Sequence, residues 1–119
     1  MAELIQLPTF TDNRGKLTVI EKCLPFDIER VYYIYDVDDS IRGWHKHKKT
    51  VQAAVAVSGE CTIVIKTLDS ERKYQLNRPD QCLILMPDDF HYMENFSQHA
   101  VLMVLASEFF DPNDYITEI

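Results

Sequence analysis

The sequence predicts a small all-β protein that folds as one barrel or sandwich, and three observations support this class. Its 119 residues fall within the roughly 100–150 residues of a typical single domain. The composition, with 46% hydrophobic and 26% charged residues, is that of an ordinary globular chain. Short β-branched and aromatic segments recur along it between Gly, Pro, Asp and Asn residues, which is typical of sandwiches and barrels.

Taken in chain order, these segments predict eight strands, at residues 17–20, 30–36, 44–48, 51–57, 61–67, 72–76, 81–86 and 100–105. Gly59 supplies a turn between the fourth and fifth strands and predicts a hairpin there. A second hairpin is predicted between the fifth and sixth strands, through Asp69-Ser70. Pro87 ends the seventh strand, and the tail from Ser107 to Ile119 is expected to form a short helix or an extended arm.

The formal net charge of -7 disfavours nucleic acid and anionic membranes as partners, because the long-range field repels both. A small anionic ligand needs a locally basic pocket instead, and six residues are available for one: Arg14, Lys16, Arg42, Lys46, Lys48 and Lys49. Residues 1–10 lack the pattern of a signal peptide, and no apolar run has membrane-spanning length. A cytoplasmic protein is therefore expected, with no membrane contact.

The three cysteines, Cys23, Cys61 and Cys82, are odd in number and widely spaced. This arrangement does not suggest a disulfide framework, and at least two of the cysteines lie in apolar segments. We expect buried, reduced thiols.

The most informative segment contains two histidines two residues apart, in Arg42-Gly43-Trp44-His45-Lys46-His47. On a strand, His45 and His47 share one face, so both imidazoles project into the same space. Inside a barrel, such a pair forms either a metal site or an acid/base site. The alternative is that one histidine caps a turn and the other is solvated.

A third histidine, His91, follows Pro87 and precedes Asn95. His-X-His followed by Pro…His-X-X-X-Asn resembles the two motifs of the cupin superfamily, a small jelly-roll β-barrel whose interior holds the active site. Metal-binding cupins carry a glutamate three or four residues after the second histidine, where this chain has Thr50-Val51-Gln52. Without that carboxylate, a tightly bound divalent metal is the less favoured use of the pair.

The resemblance extends to one family of metal-free sugar-nucleotide cupins, the dTDP-4-dehydro-6-deoxyglucose 3,4-ketoisomerases. It covers nearly the whole chain in order, through residues 12–15, 30–36, 42–49, 101–107 and 114–116. The resemblance implies one cupin domain over residues 1–119, with a short C-terminal arm and no cofactor. It also implies a dTDP-linked 4-keto-6-deoxy sugar as substrate and a homodimer that exchanges an N-terminal strand.

The implied reaction moves a ketone from C4 to C3 of the sugar through an enediol or enediolate. The product would supply an aminotransferase on the route to a 3-amino-3,6-dideoxy sugar of surface glycans. Proton removal at carbon needs a base with a pKa near neutral, and histidine provides one.

Eight residues are assigned roles on these grounds. His47 is the candidate base at carbon and His45 acts at the oxygens, although the order is reversible, and Arg42 stabilises the oxyanion or holds the sugar. Tyr35 is a hydroxyl donor and Tyr33 a packing surface; alternatively, both are core aromatics. The remaining substrate-binding candidates are Arg14 for the diphosphate, Lys49 on the histidines' face, and His91. For Arg14 the alternative is a turn salt bridge, and for His91 a satisfied interior histidine.

Three other functions remain open from the sequence. A 3,5-epimerase of the dehydrorhamnose type shares the barrel and the nucleotide, a non-catalytic cupin would bind a sugar nucleotide without turnover, and a metal-dependent dioxygenase would hold iron. Product analysis, a turnover assay and elemental analysis separate these functions.

Overall fold

A computed structural model describes residues 1–119 as twelve strands and one 3₁₀ turn. The strands are β1 (Glu3–Gln6), β2 (Thr9–Asp12), β3 (Gly15–Thr18), β4 (Arg30–Tyr35), β5 (Arg42–His47), β6 (Gln52–Ser58), β7 (Cys61–Lys66), β8 (Glu71–Leu76), β9 (Gln81–Leu85), β10 (His91–Glu94), β11 (Val101–Ala106) and β12 (Tyr115–Ile116). The 3₁₀ turn spans Pro112–Asp114. No helix has the length and apolar character needed to cross a membrane.

Ten of these strands form two five-stranded antiparallel sheets. The first has the order β1-β9-β6-β11-β4 and the second β12-β5-β10-β7-β8. The larger of two buried clusters lies between the sheets: Leu83 and Leu102 from the first sheet pack there with Ile63 and Leu76 from the second. The prediction of an all-β barrel of the cupin type is confirmed.

The strand pattern predicted the main strands within about two residues, but one of the two predicted hairpins is wrong. β7 and β8 pair as expected, with Ile63 opposite Tyr74. β6 pairs instead with β9 and β11, so residues 58–60 carry the chain from one sheet to the other. Gly59 permits this crossing because its φ is +67° and a Cβ there would lie 2.5 Å from Ser97 Oγ.

β5 is distorted where it approaches the third histidine. Gly43 and Trp44 have φ values of +89° and +65°, and the pairing with β10 shifts register between His91 and Tyr92. A positive φ is uncommon for a bulky residue such as tryptophan, and bulges of this kind re-aim neighbouring side chains. The distortion brings His45 opposite His91.

The tail after β11 folds back onto the barrel. Asp111 caps the 3₁₀ turn by accepting a hydrogen bond from the backbone N–H of Asn113 at 2.9 Å. The chain then pairs β12 with β5, placing Tyr115 opposite His47. The expected arm is therefore a strand of the second sheet, and it carries Asp114 into the interior.

β2 and β3 form a separate hairpin that pairs with neither sheet. Its cross-strand pair, Phe10 and Leu17, is 65% and 60% exposed. Arg14 lies in the tight turn of this hairpin.

All three cysteines are free thiols. Cys61 and Cys82 are buried, and burial raises the pKa of each to about 12. Cys23 is only partly buried.

Candidate active site

A cavity of about 290 Å³ lies between residues of β4 and β5. β4 contributes alternate residues to its wall, since side chains two positions apart share a face. β5 contributes the residues before and after its distortion. The lining residues are Arg30, Tyr32, Ile34, Arg42, Gly43, His45, Met93, Phe110 and Tyr115.

His45 is the histidine that lines this cavity. Its ring lies 5.0 Å from that of His47, 5.1 Å from His91 and 4.9 Å from Tyr115, measured between centroids. Burial and the neighbouring His47 lower the pKa of His45 below the ordinary value of 6.5. His45 is therefore neutral at pH 7 and able to accept a proton.

His47 lies deeper and is paired with a carboxylate. It is 2% exposed, and its Nδ1 lies 2.9 Å from Oδ2 of Asp114. A carboxylate only accepts hydrogen bonds, so Nδ1 carries the hydrogen and Nε2 the lone pair. That Nε2 is buried without a hydrogen-bond partner. Burial lowers the pKa of His47 and outweighs the opposing effect of Asp114.

Asp114 is 4% exposed and accepts three hydrogen bonds. Besides His47, the backbone N–H of Lys49 donates to Oδ1 at 2.8 Å and the hydroxyl of Thr50 donates to Oδ2. Burial alone would raise the pKa of Asp114, but the three donors hold it below 3.8. The group is an ionised carboxylate that fixes one tautomer of His47.

His91 completes a cluster of three imidazoles, and it is an interior residue. It is 1% exposed, and its Nδ1 lies 2.9 Å from the carbonyl oxygen of Asp89, which accepts the hydrogen. Its Nε2 has no partner. Burial lowers the pKa of His91 to about 4, so the ring is neutral at pH 7. His91 packs beside His45 but does not line the cavity.

Two tyrosines line the cavity, Tyr32 from β4 and Tyr115 from β12. The Tyr32 hydroxyl accepts a hydrogen bond from Nε2 of Gln52 at 2.9 Å, and its own proton remains free to donate. Burial, together with nearby Tyr115, raises the pKa of Tyr32 and keeps it protonated.

The predicted orientation of Tyr33 and Tyr35 is wrong. They are 63% and 58% exposed and stack on each other outside the barrel, with ring centroids 5.9 Å apart. The alternation of β4 correctly put them on one face, but the face toward the cavity belongs to Tyr32 and Ile34.

Lys49 and Arg14 also lie away from the cavity. Lys49 follows the end of β5, and its Nζ points to the surface, 4.0 Å from Oε1 of Glu108. The expectation that Lys49 shares the histidines' face is wrong, because the strand ends at His47. Arg14 is 86% exposed and forms the turn ion pair with Asp12, at 2.6 Å.

Of the eight predicted residues, the structure brings together four. His45 packs against His47 and His91, and Arg42 lines the cavity together with His45. Sequence reasoning missed Arg30, Tyr32, Asp114 and Tyr115. The signal for Tyr32 was present, since Arg30, Tyr32 and Ile34 form the other alternating set of β4. Asp114 carried no local signal, because 67 residues separate it from His47.

A barrel of antiparallel strands, with a neutral histidine facing a cavity that is also lined by two arginines and two tyrosines, defines a cupin-type protein with an acid/base site. No group of three or more His, Cys, Asp or Glu side chains is arranged to hold a metal ion.

Comparison with known proteins gives the family. A family model described as WxcM-like, C-terminal (FdtA) matches residues 1–119. A TDP-4-oxo-6-deoxy-α-D-glucose-3,4-oxoisomerase of Aneurinibacillus thermoaerophilus is 38% identical to this chain. The alignment covers 98% of this chain and 86% of that protein. The chain belongs to this family of 3,4-ketoisomerases, as its resemblance implied.

Solved structures of 3,4-ketoisomerases share the fold of this chain. QdtA, a 3,4-ketoisomerase from Thermoanaerobacterium thermosaccharolyticum in complex with TDP, matches with a TM-score of 0.95 and 42% identity, over 98% of this chain and 88% of that one. The WlaRB TDP-quinovose 3,4-ketoisomerase of Campylobacter jejuni has a TM-score of 0.92 and 41% identity, over 98% and 92%. A dTDP-4-dehydrorhamnose 3,5-epimerase from Bacillus anthracis matches at only 20% identity, with a TM-score of 0.82 over 96% and 76%, so it shares the fold alone.

Proposed function

We propose that this chain converts a dTDP-linked 4-keto-6-deoxyhexose into its 3-keto isomer. The observation that carries the proposal is His45, neutral and facing the cavity beside Arg42 and Tyr32, in a chain of the 3,4-ketoisomerase family. A QdtA variant with one histidine replaced by asparagine has been solved with TDP-4-keto-6-deoxyglucose, which supports this class of substrate. The product would supply an aminotransferase that makes a 3-amino-3,6-dideoxy sugar. We also propose that residues 1–119 act as one domain.

His45 is proposed as the base at carbon, with His47 serving the oxygens, which reverses the assignment favoured by the sequence. His45 lines the cavity, whereas His47 is buried and bound to Asp114. A positioned base contributes about 10²- to 10⁴-fold to the rate. Tyr32 takes the hydroxyl-donor role first assigned to Tyr35.

The reaction needs no redox cofactor. The base removes the proton from C3, an enediolate forms, and a proton returns to C4, so the sugar neither gains nor loses electrons. Arg42, as a permanent cation in the cavity, suits the stabilisation of the enediolate charge.

We further propose a homodimer in which the β2–β3 hairpin packs against a second copy of the chain. β1 is already paired with β9 of its own chain, so the element available for exchange is the hairpin. An isolated two-stranded hairpin is marginally stable in water, and Phe10 and Leu17 would be covered by a partner. Arg14, at its tip, would then reach a diphosphate in the partner's cavity.

The dimer is tested by light scattering coupled to gel filtration. We expect a dimer for the native chain and a monomer for a variant that combines Phe10→Asp and Leu17→Asp. Arg14→Ala should remain dimeric and bind TDP more weakly. A monomeric native chain would refute the proposed dimer.

The activity is tested by incubating the protein with TDP-4-keto-6-deoxyglucose in D₂O and following the sugar by NMR. A 3-keto product with deuterium at C4 is expected. A product that keeps the ketone at C4 with an inverted centre would instead indicate an epimerase, and TDP binding without turnover would indicate a non-catalytic cupin.

The matched variants are His45→Asn and His99→Asn. His99 is an exposed histidine in a loop and does not line the cavity. We expect His45→Asn to lose activity by at least about 10²-fold and His99→Asn to keep it. Equal activity of the two variants would rule out His45 as the base.

A further inference from the structure

Arg30 occupies a position in the cavity that no role assigned so far explains. It is the first residue of β4, on the same face as Tyr32 and Ile34. Arg42 enters the cavity from β5, in the opposite sheet. Two guanidinium groups therefore face one small space from its two walls.

Neither guanidinium has an acidic partner. None of the seven ion pairs of the chain involves Arg30 or Arg42. Nε of Arg30 is also buried with no hydrogen-bond partner. The chain has 19 acidic residues and a net charge of -7, so unpaired arginines are not forced by a shortage of carboxylates. A buried donor without an acceptor is costly, so its presence in a native structure needs an explanation, and a catalytic role is one.

Two aromatic rings hold Arg30 in place. Its Cζ lies 5.3 Å from the centroid of the Tyr32 ring and 5.8 Å from that of Phe110. Both distances are within the reach of a cation–π interaction, which orients the guanidinium without neutralising its charge. The guanidinium of Arg30 is thus preorganised, and its N–H donors remain available to a ligand.

The positive charge of Arg30 affects the pKa values of His47 and Tyr32. It lowers the pKa of His47, adding to the effect of burial, and it opposes the rise that burial causes in the pKa of Tyr32. Arg30 and His45 line the same cavity, so an anion bound there by Arg30 lies near the proposed base. The anion that forms there in the proposed reaction is the enediolate.

We propose that Arg30 donates hydrogen bonds to the enediolate oxygen and stabilises the charge that develops on it. This inference rests on the proposed function. When the base takes the C3 proton, the C3–H electron pair forms the C3–C4 double bond and the C4 carbonyl π pair moves to O4. Protonation of O4 and C4, with loss of the O3 proton, completes the isomerisation, so atoms and electrons balance. Arg30 is then a catalytic residue, with an effect expressed in kcat.

The test compares Arg30→Met and Arg30→Lys with a matched control, Arg72→Met. Arg72 also lies over a tyrosine ring, with Cζ 5.4 Å from the Tyr74 centroid, but it is an exposed residue of β8 outside the cavity. For each protein, kcat and KM are measured by NMR with TDP-4-keto-6-deoxyglucose, TDP affinity by calorimetry, and folding by thermal unfolding.

We expect Arg30→Met to lower kcat by about 10²-fold or more, the usual effect of removing an oxyanion donor, while its TDP affinity stays within about threefold of wild type. Arg30→Lys keeps the charge but loses the planar fork, so a loss of about tenfold is expected. Arg72→Met should match wild type. If Arg30→Met fails to fold, the lysine variant decides the question.

Wild-type kcat in either Arg30 variant would overturn the inference. So would a weakened TDP affinity with unchanged kcat, because Arg30 would then bind the diphosphate. A wild-type protein without turnover overturns the proposed function and this inference together, which distinguishes that failure from one confined to the Arg30 variants.

Discussion

Replacing Asp114 by asparagine perturbs the interior of the site with almost no change in shape. The carboxylate accepts hydrogen bonds from His47 Nδ1, the Thr50 hydroxyl and the backbone N–H of Lys49. An amide offers one oxygen and one NH₂ group in their place. Whichever way it is turned, at least one of these donors then faces another donor.

The cost follows from those contacts. A buried donor that loses its acceptor costs about 1–3 kcal/mol. If the NH₂ group of Asn faces His47, both the imidazole and the Thr50 hydroxyl must reorganise. We therefore expect Asp114→Asn to lower the free energy of unfolding at pH 7 by about 2–4 kcal/mol. His47 loses its fixed tautomer, and kcat should fall by about 10²- to 10⁴-fold.

Acid should reduce the difference between wild type and Asp114→Asn. The folded-state pKa of Asp114 lies below its ordinary value of 3.8, so its contribution to stability is complete above that pH. This contribution is lost as the pH falls through the folded-state pKa. The wild-type advantage should therefore be constant from pH 7 to about pH 5 and shrink below pH 4.

Urea unfolding followed by the fluorescence of Trp44, the single tryptophan, measures these differences. Asp111→Asn is the matched control, because asparagine also caps a turn well and the Asp111 side chain is hydrogen-bonded only to the backbone N–H of Asn113. Stability within about 0.5 kcal/mol of wild type for Asp114→Asn would refute the reasoning. A stability difference as large at pH 3 as at pH 7 would contradict the assigned ionisation.

Three further changes test other parts of the structure. His91→Gln removes a histidine that is neutral in the folded state, where its pKa is about 4. The unfolded chain binds this proton near pH 6.5, so wild type should lose about 3 kcal/mol more unfolding free energy than the variant between pH 6.5 and 4. His99→Gln is the control. Gly59→Ala places a Cβ 2.5 Å from Ser97 Oγ at positive φ and should destabilise by about 2–4 kcal/mol, whereas an equal Tm for this variant and wild type would contradict the packing. Tyr32→Phe should reduce kcat by about tenfold and lower the free energy of unfolding by about 1–3 kcal/mol, because the buried Nε2 of Gln52 loses its acceptor, and a wild-type kcat would remove the hydroxyl from the mechanism.

The sequence predicted eight of the twelve strands, because alternation and turn residues are local properties. It failed where two distant segments decide the outcome. The residues around Gly59 read as a hairpin, and only the pairing of β6 with β11 shows that the chain changes sheets there. Likewise, alternation placed Tyr33 and Tyr35 together on one face of β4, but it carries no information on which face meets the core.

In the site, too, local patterns were predictable and contacts between distant segments were not. His45 and His47 were identified from their spacing, together with the Arg42-Gly43 that precedes them and the later His91. Their environments differ because the distortion of β5 brings His45 opposite His91, whereas the pairing with β12 places Tyr115 opposite His47. Those features depend on β10 and on the tail, and neither β10 nor β12 was predicted as a strand.

The return of the tail to β5 also sets an order of events during synthesis. Asp114 and Tyr115 leave the ribosome after every other residue of the site. The two sheets bury most of the core without them. A nascent chain that ends before Asp114 can therefore build the barrel, but its His47 has no carboxylate to select the tautomer. In the proposed mechanism, the His47–Asp114 pair is completed last, when a turn of three residues docks, and damage to that turn is expected to impair proton transfer more than the packing of the barrel.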